Sequence, residues 1–228
     1  MCGKIRDKKR TVFIGMGVVI ILLAGLSISS RYFVYSDMPA KKSDIIVLFI
    51  GSDEEARKNE ARQLIQEGFS DFLFISSYLR LYRAGENGNT LSSIPFPTIK
   101  TNGDLLQPKS EYENNGLYFK RVRQEFDFPC FYENTHVEVL LTKKVMDAYG
   151  FKRAIFVSSP YHMRRIKIIT EKVFGSGYDI KMTPSRFGRK ITTGLPSLYD
   201  VQNTFREIAK IIWFFCYDHR DRWNGAKP

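Results

Sequence analysis

The chain is short of the residues that build metal and thiol chemistry. Three cysteines and three histidines are spread over 228 residues, and none falls into the Cys/His spacing that closes a zinc site. No metal and no cofactor are therefore expected. Cys130 and Cys216 could pair in an oxidising compartment, but spacing does not give the proximity a disulfide needs. Cys2 follows no apolar region, so it is not a lipoprotein cysteine. Also missing are a G-x-x-x-x-G-K-[ST] loop, a full G-x-G-x-x-G and a G-x-S-x-G elbow. Their absence leaves nucleotide binding in those modes and an elbow-mounted serine nucleophile without support. There is no internal repeat and no nucleic-acid motif, so the formal net charge of +11 is not read as a nucleic-acid footprint.

Charge and hydropathy are instead organised at the N-terminus. A basic head holds Lys4, Arg6, Lys8, Lys9 and Arg10, and an uncharged apolar run follows from Val12 to Ile28. At about 1.5 Å per residue such a run covers most of a hydrocarbon core of about 30 Å. The pattern predicts a basic head over 1–10, a transmembrane signal anchor over 11–28 and a linker over 29–43. A cleaved signal peptide, ending near Ser27-Ile28-Ser29, is the rival reading, although its apolar region would be about 7–15 residues. A buried core helix is the other, although a surface helix of a globular domain would show a polar face. The flanking charges place the N-terminus in the cytoplasm and the domain outside an inner or plasma membrane. Beyond the head, basic residues still outnumber acidic ones. That excess suits anionic lipid head groups or cell-wall polymers, or is an ordinary basic surface.

Past the linker, short apolar runs alternate with helical periodicity. Asp44–Ile50, Phe72–Ile75, Ala154–Val157 and, more weakly, Asp179–Met182 read as strands. Helices are predicted from the Ser52-Asp53 turn to Gly68, over Glu133–Tyr149, from His162 to Phe174 and over Leu198–Tyr217. Alternation of this kind predicts an α/β domain over 44–217: a Rossmann-like, mostly parallel sheet with helices on both faces, preceded by the transmembrane helix. Residues 78–129, rich in Gly, Pro, Asn and Ser, break the pattern. They read either as a lid over the carboxyl edge of the sheet or as a surface insertion. Residues 218–228 read as a tail.

The polar residues crowd where strands end and helices begin. Ser158, Ser159, Tyr161, His162, Arg164 and Arg165 follow one strand; Gly51, Ser52, Asp53 and Arg57 follow another; Ser76 ends a third; Asn134, Thr135 and Glu138 open a helix. Open α/β sheets bind ligands at that edge, so these residues predict one composite site. His162 and Glu138 could serve as acid and base, Ser158 as a nucleophile, and Arg57 and Arg165 as anion clamps. Simpler roles remain open. His162 could cap or sit satisfied, Asn134 and Thr135 could only cap their helix, and Ser158 could be a turn residue.

Three of these blocks resemble the YdcF-like family of bacterial proteins, a domain of unknown function that includes SanA and ElyC. They are Asp44–Gly68 with Arg57, Ala61 and Leu64; Glu133-Asn134-Thr135 with Glu138; and Ser158-Ser159-Pro160-Tyr161-His162 with Arg165. The likeness runs from about Asp44 to Tyr217, outside the insertion. It departs from the family at Ser77 and Ile166, where small residues, Gly at the first, are usual. The resemblance implies a Rossmann-like domain, often membrane-anchored, in cell-envelope biogenesis or barrier maintenance. It carries over no reaction. Two expectations follow: an extracytoplasmic enzyme, a hydrolase or transferase, acting on a phosphorylated or anionic lipid-linked or cell-wall precursor, or a non-catalytic binding or assembly factor for such a ligand.

Overall fold

A computed structural model describes residues 25, 32, 34–37, 42–85, 88–95, 99, 101, 107–110, 113–188 and 197–223. Six strands form one open sheet: β1 (Ile45–Leu48), β2 (Phe72–Ile75), β3 (Arg80–Ala84), β4 (Leu91–Ile94), β5 (Arg153–Ser158) and β6 (Asp179–Pro184), in the order β4-β3-β2-β1-β5-β6. The helices are α1 (Glu54–Gln66), α2 (Asn115–Glu125), α3 (Asn134–Tyr149), α4 (Met163–Phe174) and α5 (Leu198–Trp223).

The continuous apolar runs of the central strands reflect burial on both faces. Side chains alternate across a strand, and β1 divides accordingly. Ile46 and Leu48 pack with Ile155, Val157 and the Ala61, Leu64 and Ile65 stripe of α1. Ile45 and Val47 pack with Phe156 and with side chains of α2, α3, α4 and the end of α5. Gly150, with φ of 72°, takes the left-handed position that ends α3.

The expected mostly parallel sheet is corrected to a mixed one. β1, β2, β5 and β6 run parallel, but β2 pairs with β3, and β3 with β4, antiparallel. The cause is the length of the connection. Only Ser76–Leu79 separate β2 from β3, too few for the crossover a parallel partner requires. Leu79 helps close this turn at φ of 50° while its side chain is fully buried. The segment read as patternless therefore supplies an antiparallel extension of the sheet, and further along it supplies α2.

The expected membrane anchor is also corrected. Among the described residues no helix is long and apolar enough to cross a membrane, and the run at 12–28 lies, apart from Gly25, outside them. The single-pass topology, the extracytoplasmic placement, the envelope role and the membrane, lipid and cell-wall partners all rested on that anchor and on the family resemblance. They are withdrawn with it. Cys130 and Cys216 are both free and exposed, so the pairing that was left open is not made.

Candidate functional site

The parallel strands β1 and β5 end side by side, and the chain leaves β1 toward β2 on one side and returns to β5 on the other. Such a switch in direction opens a crevice beyond the strand ends. Here it holds a cavity of about 200 Å³, whose walls include Gly51, Arg57, Asn134, Thr135, Glu138, Ser158, His162 and Arg165. Eight residues anticipated from sequence thus converge on one cavity. Ser76 reaches it through Glu138. Ser52, Asp53, Ser159 and Tyr161 line a smaller cavity of about 60 Å³ instead, and His162 borders both.

Arg57 rises from α1 and is buried beneath the turn after β1. Its Nε donates to Asp53 Oδ1 at 2.6 Å, Nη1 to the carbonyl of Phe49 at 2.7 Å and Nη2 to Ser159 Oγ at 3.1 Å. Gly51 lets the guanidinium lie against the backbone, since a Cβ there would come within 2.5 Å of Nη2. Asp53 stands at the N-cap position of α1 but makes no side-chain cap; its carboxylate goes to Arg57. Arg165 is as fully engaged. Its Nε donates to Glu207 Oε2 at 2.7 Å, and Nη1 to Thr135 Oγ1 at 2.6 Å and Glu133 Oε2 at 3.1 Å. The two arginines brace the cavity rather than present open forks to a ligand. Asn134 and Thr135 are likewise not simple caps: Asn134 Oδ1 accepts from Arg123 at 2.7 Å, and Thr135 takes Arg165.

Glu138 is the buried acid of the site. The hydroxyl of Ser77 donates to its Oε1, and Ser76 Oγ lies 3.2 Å from the same oxygen and 3.1 Å from the Leu48 carbonyl. Burial raises the Glu138 pKa to about 7, against the hydroxyls of Ser77 and Ser76 and the charges of Arg57 and Arg165. Near neutral pH the group is poised between acid and base.

His162 is tuned the other way. Burial lowers its pKa below the ordinary value, although Glu207 works against this. Nδ1 lies 2.8 Å from Glu207 Oε1. Glu207 itself is driven down to about 2: burial opposes ionisation, but the hydrogen bond from His162 and the charge of Arg165 prevail. The consistent state is a neutral imidazole whose Nδ1–H donates to a carboxylate, leaving the lone pair on Nε2. Arg165 Nη2 at 3.3 Å from Nδ1 is then a close neighbour and not a donor.

Ser158 Oγ is buried, lines the cavity and has no hydrogen-bond partner among the described residues. Tyr161 turns away, its hydroxyl donating to Asp200. Among the described residues there is no group of three or more His, Cys, Asp or Glu side chains able to hold a metal ion.

Sequence reasoning missed Ser77, Asn115, Phe119, Glu207 and Lys210. Lys210 lines the cavity 3.8 Å from Glu207 Oε1, and its pKa is lowered by burial and by Arg165. One signal was present. Asp200, Thr204 and Glu207 recur at helical spacing on the buried side of α5, where an ordinary amphipathic helix is apolar. α2, from the segment read as lid or insertion, brings Asn115 and Phe119 to the cavity wall.

No family model matches the sequence, and no curated protein or solved structure is significantly similar to it.

Proposed function

We propose that this cavity is the active site of an enzyme that hydrolyses, or transfers a group from, a small anionic substrate. The observation that carries the reading is the opposed tuning of two titratable groups in one cavity: Glu138 raised to about 7 and His162 held neutral against Glu207. The two shifts invert the ordinary order of carboxyl and imidazole, so that the carboxyl can carry a proton while the imidazole is neutral, and this assigns acid and base. In this reading His162 Nε2 takes a proton from the attacking hydroxyl or water, and Glu207 steadies the imidazolium that forms. Protonated Glu138 gives its proton to the leaving group. Lys210, the one cavity cation not closely paired among the described residues, meets the negative charge of the substrate. Arg57 and Arg165 act through the geometry they impose. Ser158, a buried hydroxyl unpartnered among the described residues, contacts the substrate. The cavity volume, below the ~300–1,000 Å³ of drug-sized sites, suits a small ligand. Kinship to the YdcF-like proteins belongs to this proposal, supported by the convergence of the three sequence blocks on one cavity.

The test is turnover by the purified full chain of phenyl phosphate and of alkyl esters bearing a carboxylate, whose basic leaving groups require a proton. Activity that falls by about 10²-fold or more in Glu138→Gln and in His162→Ala is the expected result. No turnover of either probe class, or turnover unchanged in both variants, overturns the reading.

A further inference from the structure

Helix α5 has an inner face that mixes polar and apolar residues and an outer face that is apolar. Its inner face is used by the domain: Thr204, Glu207, Phe214 and Tyr217 are buried. Its outer face carries Leu198, Val201, Phe205, Ile208, Ile212 and Phe215, spaced alternately by three and four residues. His219 is next in the same register. None of the six is buried; Leu198 is 89% exposed, Phe205 58%, Ile212 57% and Phe215 45%. A continuous apolar stripe of this length calls for a cover; Val201 and Ile208 are half-buried and the other four are exposed.

The spacing indicates what covers it. A period of 3.5 residues sustained over three heptads is the seam of two helices wound on each other, with these residues at the a and d positions. We propose that the outer face of α5 is a homodimer interface, its occupant the same face of α5 from a second copy of this chain. The seam is self-complementary, and charge permits the pairing. The chain carries a net charge of +11, so its copies repel one another over much of their surface. The seam is exempt: the a and d positions hold no Lys, Arg, Asp or Glu, and neither do Gln202, Ala209 and Cys216 along its edge. Such a face can meet itself across a two-fold axis without opposing like charges. Small Ala209 and Cys216 let the helices come close.

The pairing reaches the cavity through the helix itself. Glu207 and Lys210 lie on the other side of α5, so a second copy clamping the outer face holds the helix that orients His162. The dimer does not depend on the reaction assigned to the cavity.

The experiment is sedimentation velocity of the purified full chain over roughly 1–100 μM, with the double variant Phe205→Glu/Ile212→Glu alongside. The wild type is expected to sediment at about twice 26.5 kDa and the variant at the monomer mass. Circular dichroism should match the wild type, since both replaced side chains are exposed, and only the wild type should melt higher as its concentration rises. A monomeric wild type overturns the proposal, and means that another protein or the chain's own apolar N-terminal run covers the face. An assembly that survives the double substitution overturns it equally, by placing the contact elsewhere.

Discussion

Glu138 is the residue on which the chemistry turns, and its environment makes a stability prediction independent of any substrate. A carboxyl whose pKa rises from 4.5 unfolded to about 7 folded binds its proton more tightly in the native state. Its contribution is complete below about pH 4.5 and is lost as pH rises through 7. Glu138→Gln, which cannot ionise, should gain on the wild type by up to about 3 kcal/mol between pH 4.5 and pH 8. Urea unfolding at the two pH values measures this; a constant difference contradicts it. Gly51 makes a second prediction. Its missing Cβ lets the Arg57 guanidinium keep three partners at once: Asp53, the Phe49 carbonyl and Ser159. Gly51→Ala should displace that group and cost about 1–3 kcal/mol, read as a lowered melting temperature. No change would mean that Arg57 relaxes freely.

At the scale of elements, the parallel strands were legible because β1 and β5 bury both faces and leave unbroken apolar runs, IIVL and AIFV. β3 was not, because a strand outside the fully buried centre of the sheet reads RLYRA, with arginines at both ends of the apolar pair. Its turn carries no Gly either, since Leu79 accepts positive φ in exchange for full burial. The site was legible at the strand ends, where SSPYH and GSD interrupt apolar runs. It was illegible on α5, whose contribution comes from 42 residues beyond Arg165 and depends on how a distant helix docks. That docking is testable through Glu207, buried between Arg165 and His162. Glu207→Ala leaves a buried guanidinium with one carboxylate fewer and should cost about 3–5 kcal/mol by chemical denaturation. A loss below about 1 kcal/mol would mean that α5 does not dock as described.

For the whole molecule, the mixed sheet divides into a parallel centre and an antiparallel margin. β1 is fully buried, whereas β4 has intermediate and exposed positions only and pairs on one edge. Amides of β1 and β5 should therefore exchange hydrogen only through global unfolding, and those of β4 through local opening at lower free energy. Equal protection across the six strands would contradict this division. The same architecture brings Glu138 from α3, His162 from the turn after β5 and Glu207 from α5 into one cavity beyond the strand ends. The buried acid there is the group on which the proposed chemistry depends. Its direct measurement is the titration of the Glu138 side-chain carboxyl by ¹³C NMR in the folded full chain, assigned by comparison with Glu138→Gln. A midpoint near 7 is predicted; a midpoint at the ordinary glutamate value of about 4.3 would contradict the account.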